Sequence, residues 1–300
     1  MPLTLSELEE IRADCFADDV EIEFEKMSAW NRERAQAWFE MGGVETAAYE
    51  LTEMPVTIPR SLGGPPLHGK LLWPTGLERA PFGLLFCPSN PGLQFGQHHM
   101  ESPVPEALAN KLRSARIPLL RFNYSRVRGS GGSDDYDKLG AQFPPHGMEE
   151  CSDASKFLKS RCTAIAVAGM SYGAAAMRGP SDTCAIRHAD AIISMSTAPN
   201  IVKLMRDPVL KATAAQSMIK AFKEMKHGTP KLLLEGTKDR LGPKPEIDKL
   251  ADAAPPPVEV QWLEGADHAL DGFADAAADA VTVFLLKHFP SAAVPPALPA

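Results

Sequence analysis

One stretch near the middle of the chain constrains the fold more than any other. Residues 164–170 form a short apolar run, and residues 172–177 are mostly helix formers. Between the two halves stands Gly169-Met-Ser171-Tyr-Gly173, a Gly-x-Ser-x-Gly motif. Glycine at both ends suits a tight turn, because a Cβ there would collide with neighbouring backbone. The stretch therefore predicts a sharp strand-to-helix turn that lifts the Ser171 hydroxyl clear of a sheet.

The motif by itself is weakly specific. At ordinary frequencies of glycine and serine, a chain of this length contains Gly-x-Ser-x-Gly by chance about one time in ten. The alternative is a glycine-rich loop that happens to hold a serine. The flanking strand and helix favour the turn, as do the polar residues found in a particular order further along.

Composition limits the class of protein. A chain of 300 residues, 44% hydrophobic and 23% charged, suits one α/β domain with a sizeable core. The formal net charge of −7 argues against nucleic acid or an anionic membrane as partner. No apolar run approaches the roughly 20 residues that span a bilayer, and the first residues lack the basic and apolar segments of a signal peptide.

The cysteines indicate the redox compartment. They number five, an odd count, and their spacing is irregular: Cys15, Cys87, Cys151, Cys162 and Cys184. This pattern is typical of reduced thiols and not of a disulfide framework or a zinc site. We therefore expect a cytoplasmic protein.

From residue 46 to residue 290 the hydrophobic pattern predicts strands alternating with helices. The expected strands are 54–59 and 68–73, which flank a Gly-Gly-Pro-Pro turn, then 81–87, 117–124, 164–170, 190–196, 231–236 and 258–263. The expected helices are 106–115, 148–159, 244–253 and 273–288, with a helical excursion over 201–226. Continuous apolar strands alternating with amphipathic helices predict an α/β fold with a mostly parallel sheet covered on both faces.

The two ends of the chain differ from this domain. Residues 1–45 are predicted to form a helical extension, and residues 291–300 a disordered tail rich in proline and alanine. The extension is expected to pack on the outside of the domain. The alternative is an arm that docks a protein partner.

A serine hydroxyl becomes a good nucleophile only when a base takes its proton and a carboxylate orients that base. In an open parallel sheet these groups belong on loops at the carboxyl ends of strands. Asp239 follows the predicted strand 231–236, and His268 follows the strand 258–263. The alternatives are that Asp239 only caps the next helix and that His268 is an ordinary surface histidine. Asp267 is a poor rival to Asp239, because neighbours in the chain rarely present their side chains face to face.

Other reactive groups are disfavoured. His98 and His99 precede Ser171 in the chain and lack the i, i+4 spacing of two metal ligands on a helix. Cys87 stands where an oxyanion donor is expected, which disfavours it as nucleophile. Arg121 is expected to brace the sheet, with substrate binding as the alternative. No metal or organic cofactor is expected.

The order Ser171, Asp239, His268 is that of the α/β-hydrolase scaffold, and the chain resembles that superfamily from residue 164 to its last helix. Similarity is weaker back to about residue 50. The segments Glu-Gly-Thr-Lys-Asp239, Trp-Leu-Glu-Gly-Ala-Asp-His268 and Leu120-Arg-Phe-Asn-Tyr resemble the dienelactone-hydrolase-like branch. They are most similar to the hydrolase-like family that includes the testis-expressed proteins and a subunit of a histone-acetyltransferase complex.

This resemblance implies an α/β-hydrolase fold in which the excursion from about residue 199 to residue 227 replaces a large lid. It also implies that Ser171 is the nucleophile, that His268 is general base and acid, and that Asp239 sets the tautomer of His268. Many members carry His-Gly after the first buried strand, whereas this chain has Cys87-Pro-Ser-Asn-Pro-Gly.

That departure bears on the oxyanion hole, which requires backbone N–H groups. Proline has no N–H to give, so Ser89 is the expected donor, with Asn90 next. Tyr172 supplies the other N–H. The two prolines either make the loop rigid or leave the hole unformed.

The sequence thus predicts a serine hydrolase that cleaves a small-molecule carboxylic ester or thioester through an acyl-enzyme on Ser171. The alternative is a catalytically silent scaffold, which the altered oxyanion loop and the extension 1–45 would suit. A peptidase is disfavoured, because no feature marks a peptide-binding subsite.

Overall fold

The computed structural model describes residues 50–90, 99–125, 127–128, 130, 146–178, 184–200 and 218–290. The predicted extension 1–45, the tail 291–300 and most of the excursion 201–226 lie outside these residues. The domain boundaries therefore stay predictions.

The described strands form a single eight-stranded sheet. They are β1 Leu51–Ile58, β2 Leu67–Pro74, β3 Ala80–Cys87, β4 Leu119–Phe122, β5 Cys162–Met170, β6 Ala191–Met195, β7 Lys231–Gly236 and β8 Val258–Leu263. Their spatial order is β1-β2-β4-β3-β5-β6-β7-β8. β2 is antiparallel to both of its neighbours, and all other pairs are parallel. The predicted mostly parallel sheet is confirmed.

Several α-helices flank these strands, and five of them are described from end to end. They are α1 Pro103–Ser114, α2 Gly147–Lys159, α3 Tyr172–Ala176, α4 Lys244–Ala253 and α5 Ala274–His288, with a 3₁₀ turn at Ala185–His188. None of the described helices is both long enough and apolar enough to cross a membrane.

The core lies on both faces of the sheet, because alternate residues of each strand point to opposite sides. On β3, Leu84 and Phe86 join the apolar cluster that packs under α1 and α5. Leu85 and Cys87 join the cluster under α2, α3 and α4. Helices therefore cover both faces, as predicted.

The strand order places a topological switch at β3. From β3 the chain crosses by α1 to β4 on one side, and then returns by α2 to β5 on the other side. Loops that leave the carboxyl ends of two such strands diverge and open a crevice between them, which is the usual ligand site of an open α/β sheet. Ser171 follows β5 directly and so stands at this crevice.

Arg121 on β4 braces one edge of the molecule. Its guanidinium is buried and donates Nη1 hydrogen bonds to the carbonyl of Met100 (2.6 Å) and to Glu106 of α1 (2.7 Å). Its Nη2 donates to Glu53 of β1. One side chain thus ties two strands, a helix and the segment before that helix. These contacts agree with the bracing role expected for Arg121.

Replacing Arg121 with Met should destabilise the fold by about 2–3 kcal/mol. This is less than the roughly 3–5 kcal/mol for breaking a fully buried ion pair, because the carboxylates of Glu53 and Glu106 are 24% and 41% exposed and water can solvate them. Urea unfolding measures the loss. Arg113→Met, on the exposed side of α1, should cost less than about 0.5 kcal/mol. Equal losses in the two variants would contradict the bracing role.

Candidate active site

The turn between β5 and α3 is strained at the serine. Ser171 has φ 52° and ψ −112°, a conformation that costs a non-glycine residue about 1–3 kcal/mol. Its N–H donates to the carbonyl of Met195 at the end of β6 (2.9 Å). The neighbouring strand therefore helps to hold the conformation that the serine would not adopt alone.

The two glycines of the motif allow this turn to pack tightly. A Cβ on Gly169 would lie 2.5 Å from the carbonyl carbon of Gly173, and a Cβ on Gly173 would lie 2.1 Å from the carbonyl oxygen of Cys87. Contacts this short are sterically forbidden, so only glycine fits at either position. The start of α3 therefore lies directly against the end of β3.

The structure brings Ser171, His268 and Asp239 into one hydrogen-bonded chain. Ser171 Oγ lies 2.8 Å from His268 Nε2, and His268 Nδ1 lies 2.7 Å from Asp239 Oδ2. The Asp239 side chain is completely buried, whereas that of His268 is 14% exposed. Residues that are 97 and 29 positions apart in the chain thus meet at the carboxyl edge of the sheet.

Backbone bonds between the loops after β7 and β8 set this arrangement. Thr237 N–H donates to the carbonyl of Leu263 (3.1 Å), and Lys238 N–H donates to that of Ala266 (2.8 Å). Gly236 permits the close approach, since a Cβ there would lie 2.4 Å from the Ala266 oxygen. The two loops therefore carry Asp239 and His268 as a joined pair.

The two candidate aspartates have different surroundings. The second oxygen of Asp239, Oδ1, accepts the N–H of Leu241 (2.7 Å), which orients the carboxylate within its own loop. Asp267 is exposed, and its Oδ1 accepts the N–H groups of Ala269 (3.1 Å) and Asp271 (3.3 Å). Asp267 is thus a turn residue, and Asp239 is the carboxylate at the histidine.

The predicted oxyanion donors lie beside the elbow. Ser89 and Asn90 are buried and follow β3, whose end contacts Gly173. Tyr172 is the first residue of α3 and directly follows the elbow serine. The Tyr124 hydroxyl donates to the carbonyl of Pro88 (3.1 Å), which holds the loop in place. The role of these N–H groups stays a prediction.

Cys87 and His99, which the sequence disfavours as nucleophile and as metal ligand, lie among the described residues. Cys87 is fully buried; burial, reinforced by a hydrogen bond with Cys151, holds the pKa of its thiol well above the ordinary value, so it is a poor nucleophile. His99 Nδ1 accepts the N–H of Glu101 (3.1 Å). Within the described ranges, no three His, Cys, Asp or Glu residues cluster as metal ligands would.

Sequence reasoning missed Glu235. This residue of β7 is completely buried, and its Oε1 accepts the N–H of Thr197 (3.0 Å). Burial, and then the charge of Asp239, raise its pKa well above the ordinary value, although the bond from Thr197 and the charge of Arg178 oppose this. The sequence signal that could have found it is a glutamate near the end of the otherwise mostly apolar run 231–236.

Solved structures similar to this chain include α/β serine hydrolases and esterases. A lidless serine hydrolase from Xanthomonas campestris is 15% identical with TM-score 0.57, over 80% of this chain and 96% of its own. Est1E from Butyrivibrio proteoclasticus with bound ferulic acid is 16% identical with TM-score 0.61, over 78% of this chain and 99% of its own. An esterase from Pyrococcus furiosus is 18% identical with TM-score 0.55, over 79% and 93%.

These likenesses define the class of fold: the chain has the α/β-hydrolase fold. Neither the family models nor the curated proteins contain a match to the sequence. The activity must therefore be inferred from the site.

Adding one methyl group at the elbow should disturb the site. Gly173→Ala places its Cβ on the Cys87 carbonyl, so we expect a loss of at least about 2 kcal/mol in unfolding free energy, within the range for overpacking. Urea unfolding measures this loss. Ala175→Ser adds an atom on the exposed side of the same helix and should cost less than about 0.5 kcal/mol. A Gly173→Ala variant as stable as the wild type would show that the elbow is not tightly packed.

Proposed function

We propose that the protein is a serine hydrolase that cleaves a carboxylic ester or thioester through an acyl-enzyme on Ser171. The observation that carries the proposal is the continuous chain from Ser171 Oγ to His268 to Asp239, with bonds of 2.8 and 2.7 Å. A nucleophile, a base and a buried carboxylate in this geometry are the parts that acyl transfer requires.

In the first half-reaction, Ser171 attacks the carbonyl carbon of the substrate. His268, neutral and protonated on Nδ1, accepts the hydroxyl proton at Nε2 and then gives it to the leaving alcohol or thiol. Asp239 accepts the Nδ1–H bond, which selects this tautomer and stabilises the imidazolium that forms. Burial of Asp239 makes this electrostatic contribution larger than it would be in water.

The negative charge on the substrate oxygen is stabilised by backbone N–H groups. Tyr172 N–H at the start of α3 is one donor, and Ser89 N–H, with Asn90 next, is the other. Neither Pro88 nor Pro91 can contribute a donor. The contact between Gly173 and the end of β3 supports this assignment, because it keeps the loop and the helix start side by side.

In the second half-reaction, water replaces the leaving group. His268 removes a proton from the water, which attacks the acyl carbon. His268 then returns that proton to Ser171 Oγ as the acyl–oxygen bond breaks, which releases the acid and free Ser171. The residues proposed here complete both steps without a cofactor.

The choice of ester over amide rests on similar structures that are esterases, among them those from Pyrococcus furiosus and Rhodothermus marinus. The segments 235–239 and 262–268 support the finer assignment to the dienelactone-hydrolase-like branch. The described cysteines are free thiols, which supports a reducing, cytoplasmic location.

A fluorophosphonate probe tests the nucleophile. The folded wild type should be labelled, and Ser171→Ala should not be labelled. His268→Ala should label at least about 10³-fold more slowly than the wild type, because its serine has lost its base. In-gel fluorescence against time measures the rate.

Exposed Ser160→Ala and His227→Ala are the matched controls and should label at the wild-type rate. No labelling of the folded wild type would contradict the proposal and favour the silent scaffold. Labelling that survives in Ser171→Ala would place the nucleophile elsewhere.

Turnover of p-nitrophenyl butyrate tests the carboxylate. Asp239→Asn should lower kcat by about 10²- to 10⁴-fold with little change in KM, because the imidazole would adopt the wrong tautomer. Asp267→Asn keeps the oxygen that caps its turn, so its rate should stay within about twofold of the wild type. Similar losses in both variants would contradict the role of Asp239.

A further inference from the structure

A buried polar cluster that the catalytic proposal does not use lies between the ends of β6 and β7. It consists of Arg178, Ser194, Thr197 and Glu235, all buried. Buried polar groups are costly unless they are hydrogen-bonded or paired. The position of Glu235, four residues before Asp239 on the same strand and loop, points to the site.

Glu235 secures a strained turn. The N–H of Ser196 makes the last bond of its strand pair, to the carbonyl of Leu234 (2.9 Å), and Ser196 itself has φ 46°. The next N–H, that of Thr197, is the one that Glu235 Oε1 accepts (3.0 Å). The carboxyl therefore continues the hydrogen bonding beyond the end of the sheet and holds the 196–197 turn.

The same carboxyl borders the segment that carries Asp239. A Cβ added to Gly242 would lie 2.5 Å from the Thr197 oxygen, 3.1 Å from Glu235 Oε2 and 3.3 Å from Asp239 Oδ2. The 196–197 turn, the Glu235 carboxyl and the 239–242 segment thus converge on one point. A shift of the turn would move the backbone that orients Asp239.

Among the described residues, the charged groups that face Glu235 are Asp239 and Arg178. The Arg178 guanidinium donates to Ser194 Oγ (2.8 Å) and stacks on Phe222, and no ion pair links it to Glu235 within the part of the chain that the structure describes. Burial lowers the pKa of Arg178 to about 9. Two facing buried carboxyls do not readily both ionise. Of the two, Asp239 is the one hydrogen-bonded to His268, which leaves Glu235 as the carboxyl that stays neutral.

We propose that Glu235 is a positioning residue of this site. It is an uncharged carboxyl that holds the 196–197 turn against the 239–242 segment, and so keeps Asp239 beside His268 without adding a second negative charge. This inference rests on the proposed function.

The first test is the rate of fluorophosphonate labelling as a function of pH. Glu235→Gln keeps a neutral group and an acceptor for Thr197 N–H, so its rate should stay within about threefold of the wild type, with the same midpoint on the acid limb. Glu235→Ala removes the acceptor, and we expect a loss of about tenfold or more, because small displacements of catalytic groups are costly.

Two results would overturn the proposal. Glu235→Ala that labels at the wild-type rate would show that the carboxyl positions nothing. A midpoint that moves to lower pH in Glu235→Gln would show that Glu235 is ionised, because removing a nearby negative charge disfavours the imidazolium.

A second readout needs no reactive serine. Because the folded-state pKa of Glu235 is raised above its ordinary value of 4.5, the wild type loses stability as pH rises above that value. The melting temperature of the wild type should therefore fall relative to that of Glu235→Gln as the pH rises above that value. A constant difference would overturn the uncharged state.

NMR of the His268 Nδ1 proton reports directly on the hydrogen bond between His268 and Asp239. Its hydrogen-bonded resonance should persist in Glu235→Gln and be lost or displaced in Glu235→Ala. If the wild type is not labelled but this pattern and the melting trend hold, the proposed function fails and the role of Glu235 stands.

The matched control is Asp190→Ala. Asp190 also accepts a backbone N–H, that of Ile165 (2.9 Å), but it does so at the amino end of β5. The variant should lower the melting temperature without moving the His268 resonance or the labelling rate. A loss of labelling equal to that of Glu235→Ala would mean that general destabilisation explains both variants and would overturn the positioning role.

Discussion

The contact between the start of α3 and the end of β3 is the constraint on which the rest of the site depends. Backbone atoms of Gly173 and Cys87 approach too closely to admit a Cβ, and this contact holds Ser171 in a strained conformation. This conformation places the serine hydroxyl above the carboxyl edge of the sheet, where the first turn of α3 also begins. The loop that follows β3 is brought there by the same contact. One steric requirement thus assembles the proposed nucleophile and both proposed oxyanion donors.

A second constraint is electrostatic. Glu235 and Asp239 are two buried carboxyls on one strand and its loop, and their surroundings separate their roles. Asp239 has a histidine and a loop N–H as hydrogen-bond partners. Glu235 has a single N–H partner among the described residues and lies deeper in the sheet core, which favours the neutral acid. Environment and not residue type therefore separates the proposed roles of the two carboxyls.

Much of the fold could be predicted because most of the strands are short apolar or alternating runs bounded by turn residues. The runs 231–236 and 258–263 match β7 and β8 to the residue. Boundaries were less accurate where end effects decide them. Helix α1 starts at Pro103 and not at Glu106, because proline is well suited to a first turn, where its missing N–H costs nothing. Strand β4 is shorter than the predicted 117–124, since the apolar run extends beyond the residues that pair with β2 and β3.

The sequence by itself determined the parallel α/β pattern, the elbow and the order Ser171, Asp239, His268. These follow from local periodicity, from glycines at fixed spacing and from the position of polar residues just after strands. Tertiary structure alone decided which strands and which helix Arg121 ties together, and that Glu235 lies behind Asp239. Such choices depend on the distances between loops far apart in the chain and on burial, and a linear sequence encodes neither quantity locally.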